Sequence, residues 1–287
     1  MKRFVAFIIC LLTIFSLASC DILNFIGLTD PLETTGYLRC DKDGKKSRSG
    51  DYLLFGEYPQ SLKADDVIIT DFQNEKGYYL GSDGEWYIKH AATTFKDSKT
   101  MYFSNKELIV PGQEYYFKIE PIRWVVLENE NNTYSLVCAD VLMSGAFNSR
   151  VDTTDYLGSE VREWLTNEFY YEAFSSSQQS MLLDTYVGCT DNAGNYVYDY
   201  VYLLSKNQAS AIEQTDRVRF ATDFARANGL AYNTNTNDNE SFGSSMWWLL
   251  TINSSYICTV GQGGNITRWM VYDPWYAYVP AITVTIY

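Results

Sequence analysis

The chain has 287 residues, 46% hydrophobic and 16% aromatic, and its 22 Lys and Arg against 35 Asp and Glu give a formal charge of −13. A surface so acidic argues against nucleic acid and anionic membrane as partners. A single His and the lack of any Cys-x-x-Cys exclude an ordinary zinc site, and neither metal nor cofactor is expected.

The chain opens as an export signal: Lys2 and Arg3, an apolar run from Phe4 to Leu17, then small residues before Cys20. The run is too short to span a bilayer. Leu17-Ala18-Ser19-Cys20 resembles the bacterial lipobox, which implies lipidation of Cys20 and a chain held to a membrane by lipid. The plain alternative is an ordinary signal peptide with a coincidental Cys. Residues 1–19 are read as a lipoprotein signal peptide, 20–50 as a flexible tether rich in charged and small residues, and 51–287 as one domain. Loss of Lys2 and Arg3 with the signal moves the formal charge from −13 to −15. The expected location is the cell envelope, at the outer membrane or cell surface. Cys40, Cys138, Cys189 and Cys258 then remain, and they are read equally as one or two disulfides of open pairing or as buried thiols.

Tyr52–Phe55 reads as a strand stopped by Gly56 and Pro59, and Asp83-Gly84 as a hairpin turn between Tyr79-Leu80 and Trp86-Tyr87. The β-rich run Tyr115–Leu127 and the segment Tyr134–Ala139 are expected to pair as the central hairpin of a sheet. Ser159 caps a helix that turns Val161, Trp164, Leu165 and Phe169 to one side, and Ser175 with Gln178 opens a second as a capping box. Tyr198–Leu204 reads as a strand, Ser205 with Gln208 as the start of a short helix, and Arg217–Asn228 as another helix stopped by Gly229. Asn-rich Tyr232–Ser245 is expected to be an exposed loop. Ile282, Val284 and Ile286 alternate with Thr283 and Thr285, the pattern of a half-buried final strand.

Several ordered motifs resemble an uncharacterised family of bacterial exported proteins common in spirochaetes and Gram-positive anaerobes. They are Phe55-Gly-Glu-Tyr-Pro-Gln60, Tyr116-Phe-Lys-Ile-Glu-Pro-Ile-Arg-Trp124, Ser159-Glu-Val-Arg-Glu-Trp-Leu165, Val201-Tyr-Leu-Leu-Ser205, Thr222-Asp-Phe-Ala-Arg-Ala227 and Trp247-Trp-Leu249. That family continues Trp-Trp-Leu with Arg-Ser-Pro and closes with Gly-Val-Arg-Pro-Ala. Here those places hold Leu250-Thr251-Ile252 and Ala277-Tyr278-Val279-Pro280-Ala281, so both arginines are absent. More distantly the order of elements resembles the C-type lectin fold of formylglycine-generating enzymes and of the variable proteins of diversity-generating retroelements. This resemblance implies an α+β domain of twisted antiparallel sheets, two main helices and long loops, with diversified positions near the C-terminus.

His90 is the lone imidazole, in Tyr87-Ile-Lys-His-Ala-Ala without a partner motif, and reads as a surface or sheet residue. Glu160 with Glu163, or Asp152 with Asp155, is conceivable as a glycosidase pair, although a solvated acidic face is the plainer account. Asn233–Glu240 offers oxygen ligands but not the spacing of an EF-hand. Cys258 is read as structural or variable. The strongest signal is aromatic, because Tyr and Trp supply contact area with little rotamer freedom to lose. Trp247, Trp248 and Leu249 are assigned to the framework. The ligand surface is assigned to Leu250, Thr251, Ile252, Tyr256, Trp269, Tyr272, Asp273, Trp275, Tyr276 and Tyr278. The expected protein is a monomeric, non-enzymatic surface lipoprotein that binds a protein or glycan there. A cell-envelope glycan hydrolase and a structural envelope protein are the alternatives.

Overall fold

A computed structural model describes residues 39–40, 52–93, 95, 100–150, 155–191, 193–253 and 256–286. The expected signal peptide, Cys20, Asp152 and most of the expected tether lie outside them. Seven strands come first: β1 (Arg39–Cys40), β2 (Tyr52–Leu62), β3 (Ile69–Gln73), β4 (Tyr79–Gly81), β5 (Trp86–Ala91), β6 (Glu114–Glu130) and β7 (Thr133–Cys138). β6 is their axis. β2 runs along one of its edges, while β5 pairs with its first part and β7 with its last part along the other. Asn131 and Asn132, with φ of 52° and 63°, make the tight turn into β7, the geometry that suits the twist of a hairpin. Leu80 pairs with Trp86 across the Asp83-Gly84 turn, as expected. Gly56 does not stop β2. Its φ of 73° places it in a bulge, where the register against β6 shifts and the strand runs on to Leu62. Arg39 and Cys40, within the segment read as a tether, pair with Leu53 and Tyr52.

After β8 (Asp140–Val141) and β9 (Met143–Gly145) comes one continuous helical run: α1 (Glu160–Glu163), a π-helical stretch Trp164–Phe169 and α2 (Tyr170–Ala173). Ser159 caps it by accepting the Arg162 N–H, and Val161, Leu165 and Phe169 are fully buried. α3 (Ser176–Gln179), β10 (Thr185–Thr190), β11 (Tyr196–Asp199), β12 (Val201–Tyr202) and α4 (Lys206–Ser210) follow, then a 3₁₀ turn Thr215–Arg217. β13 (Arg219–Ala221), α5 (Asp223–Ala227), β14 (Ser244–Ser245), β15 (Trp247–Asn253), β16 (Tyr256–Val260), β17 (Ile266–Trp269), β18 (Tyr276–Tyr278) and β19 (Ala281–Thr285) complete the chain.

The main sheet runs β12-β19-β7-β6-β5-β4-β3, with β2 and β1 joined at β6. A C-terminal sheet runs β17-β16-β15-β18-β9, and two small sheets are β14-β13-β8 and β10-β11. The expected α+β, C-type-lectin-like fold with two main helices is therefore incorrect: 45% of the described residues are strand and 14% helical, and among them only one helix reaches seven residues. The second expected helix has its capping box at Ser175 and Gln178 but ends after α3, because the chain is drawn onto the last strand, where the Leu183 N–H donates to Thr283 O. The helix expected over Arg217–Asn228 shrinks to α5. Arg219–Ala221 is captured instead as β13, between β8 and β14. The case for a diversified C-terminus, which rested on the lectin fold, loses its support.

Candidate functional site

The expected ligand residues sit in and around the C-terminal sheet, whose framework behaves as assigned: Trp247, Trp248 and Leu249 are fully buried. The Trp247 indole N–H donates to Arg217 O and that of Trp248 to Gly145 O. Beyond them the expected set divides. Ile252, Tyr256, Trp269 and Tyr272 are exposed, Trp269 at 42% and Tyr272 at 43%, and Met270 beside them at 44%. Ile252 pairs with Ile257, which pairs with Trp269, so Ile252 and Trp269 share one face at the open end of the sheet. Tyr256 is on the other face, under the Arg268 guanidinium at 5.6 Å.

The remaining residues serve the scaffold. Tyr276 and Tyr278 are 8% and 5% exposed; the Tyr278 hydroxyl donates to Ala146 O and its ring packs on Trp164 at 5.1 Å. They cannot reach a ligand in this arrangement. Half-buried Trp275 meets Phe95 edge-on at 5.2 Å. Asp273 accepts from the Trp269 indole and the Trp275 N–H, which holds the loop after β17. Leu250 and Thr251 are half-buried, Thr251 accepting the Lys206 N–H at the start of α4. Asp273 and Tyr276 thus position Trp269, whose ring meets Tyr276 edge-on at 5.6 Å.

Cys138, Cys189 and Cys258 are free thiols, so none of them bridges another. Burial pushes the Cys138 thiol up to about 12. Glu160 accepts from Ser149, and Asp155 accepts the Leu157 N–H. Among the described residues no three His, Cys, Asp or Glu converge as a metal site.

A second feature lay outside the sequence reading. Between the helical run and the main sheet is a cleft of about 470 Å³, lined by Tyr58, Pro59, Lys76, Tyr78, Ile88, His90, Met143, Trp164, Glu168, Tyr171, Glu172, Phe224 and Asn228. The π-helical stretch carries Trp164 and Glu168 into it, a widened turn of the kind often found at functional sites. His90 lies against Phe224 and Phe117, its Nε2 is buried without a partner, and burial lowers its pKa, so it is neutral. The Lys76 ammonium donates to Glu172 O and lies over Tyr78 at 5.9 Å.

Burial first, and then neighbouring Glu168, raise the Glu172 carboxyl above its ordinary range. A raised carboxylate binds its proton more tightly folded than unfolded, so its ionisation removes stability as pH rises through the carboxylate range. Glu172→Gln is accordingly expected to raise the urea midpoint at pH 7, and the gain is expected to vanish below about pH 4. A gain that does not change with pH would contradict this.

A family model described as Domain of unknown function (DUF6273) matches residues 130–286, from the end of β6 through β19. No curated protein and no solved structure matches the chain.

Proposed function

The chain belongs to the DUF6273 family, and from that premise we propose that it is a lipid-anchored binding protein of the bacterial cell envelope. Cys20 is the anchor. The C-terminal sheet engages a protein partner, without turnover, through Ile252, Trp269, Met270 and Tyr272. The observation that carries this reading is the exposure of those four side chains at one end of the sheet, over a buried framework. An aliphatic, a thioether and two rings favour a protein over a sugar, because Ile and Met fill apolar hollows and offer at best a weak acceptor to hydroxyls. Arg268, over Tyr256 on the opposite face of the same sheet end, puts a positive charge near this surface of an otherwise acidic molecule, and so favours a partner with acidic residues at its edge.

Trp269→Ala combined with Tyr272→Ala is expected to weaken the partner complex by at least ~2 kcal/mol, about thirtyfold in Kd, the usual scale of an aromatic anchor. A photo-crosslinker at position 272 on intact cells identifies the partner, and titration of that partner with native and variant chains checks the loss. Unchanged affinity would remove the C-terminal surface from the interface. Metabolic labelling with a palmitate analogue tests the anchor separately, the label being lost in Cys20→Ala.

A further inference from the structure

Away from the C-terminal sheet, two clusters of three tyrosines follow one another, joined by the chain from Tyr198 to Tyr200. In the two-stranded β10-β11 sheet Tyr186 stands opposite Tyr198, and its ring is 5.1 Å from Tyr196 and 5.8 Å from Tyr198. The alternation of an extended chain turns Tyr196, Tyr198 and Tyr200 outward, while Asp199 and Val201 go in. Tyr200 stacks nearly parallel on Tyr170 at 5.5 Å, and Tyr170 meets Tyr171 edge-on at 4.9 Å. Tyr171, 63% exposed, is also a wall of the 470 Å³ cleft. The row therefore leads from the outer sheet into the cleft.

Its two halves are fixed to each other. Asp199 is buried and accepts from Nε and Nη2 of Arg162, at 2.9 and 2.7 Å for the shortest contacts. This fork joins the end of β11 to the helical run that carries Tyr170 and Tyr171, so the row is held in place before a ligand arrives.

The chemistry of the row differs from that of the C-terminal patch. It consists of phenol rings, each joining a flat apolar face to a hydroxyl. The C–H faces of a sugar ring, slightly positive, stack on the negative faces of such rings, and its hydroxyls find partners in theirs. The cleft adds what an end unit needs: carboxylates of Glu168 and Glu172 as acceptors, Lys76 as donor, and a volume in the range of small-molecule sites. The two carboxylates and the charge of −13 repel sulfated or uronic polymers. We propose that the tyrosine row and the cleft are one binding site for a neutral polysaccharide, its end unit in the cleft and the following units laid along the tyrosines.

The test is titration of the purified full-length chain with cello-, manno- and chito-oligosaccharides of increasing length, with heparin as the anionic comparison. At least one neutral series is expected to bind, and to bind more tightly as units are added. Tyr171→Ala and Tyr198→Ala, both at exposed positions, are each expected to weaken it about tenfold, the scale of one aromatic stacking contact. The Trp269→Ala and Tyr272→Ala pair is expected to leave it unchanged, which separates this site from the C-terminal patch. The proposal is overturned if no neutral series saturates, if heparin binds more tightly than all of them, or if both tyrosine variants, folded by thermal melt, bind like the native chain. Loss of a protein contact in those variants without any sugar binding would overturn it too.

Discussion

Trp248→Ala is expected to lower the free energy of unfolding by about 4 kcal/mol, the middle of the range for removing a buried aromatic side chain. The indole is fully buried at the centre of the C-terminal sheet, edge-on to Phe147 at 6.0 Å and to Tyr276 at 5.2 Å. Alanine leaves a cavity between those rings and strips Gly145 O of its indole donor at 2.9 Å, so a buried carbonyl loses its partner as well. The damage reaches the surface. Tyr276 supports Trp269, so the folded fraction of the variant should also bind the proposed protein partner more weakly. Urea unfolding with a loss under about 1.5 kcal/mol would mean that the sheet closes around the gap, and that Trp248 is less of a keystone than its contacts imply.

What could be read in the sequence divides by range. Local signals held: the caps at Ser159, Ser175 and Ser205 and the Asp83-Gly84 turn stand where expected, and β6 pairs with β7. How far each element runs depended on distant partners that no local pattern contains. Arg219–Ala221 is extended because residues 140–141 and 244–245 flank it. In β19 the alternation of Ile282, Val284 and the threonines suggested one wet face, yet Thr283 is only 9% exposed. Its hydroxyl accepts from Thr185 at 2.8 Å and meets the Tyr202 hydroxyl at 3.3 Å, so a polar side chain sits inside without an unmet group.

The same limit explains the site. Aromatic density marked the C-terminal stretch but could not separate Trp269 and Tyr272 from Tyr276 and Tyr278, since both pairs are amphipathic. What separates them is enclosure in the fold: Tyr278 reaches the buried acceptor Ala146 O, and Tyr276 is packed between Trp248 and Trp269. The tyrosine row did leave a trace, the alternation in Tyr196-Val-Tyr-Asp-Tyr200, a period-two pattern with the rings on one side. Its junction with the helical run left none, because the Arg162–Asp199 pair closes only in the folded chain.

Gly264→Ala is expected to be the costliest single-methyl change in the C-terminal sheet. Gly264 has φ of 77°, and a Cβ there would lie 1.9 Å from Gln214 O and 2.9 Å from its carbonyl carbon. Two penalties coincide: the left-handed conformation, about 1 kcal/mol for a side chain, and a collision with backbone that no rotamer change relieves. The turn cannot simply move away, because the Gln214 amide donates to Gly263 O at 3.0 Å and Arg217 Nε to Gly264 O at 2.7 Å. Arg217 O in turn accepts the Trp247 indole, so yielding there disturbs the core. A loss of about 3 kcal/mol or more is expected. Gly84→Ala supplies the comparison, since Gly84 has φ of 83° and nothing within 4 Å of a Cβ; it should show the conformational penalty alone, about 1 kcal/mol. If the two variants unfold at the same urea concentration, the β16-β17 turn is not docked on the 3₁₀ turn in solution. The strand that presents Trp269 would then lack the fixed base that a binding surface of this kind requires.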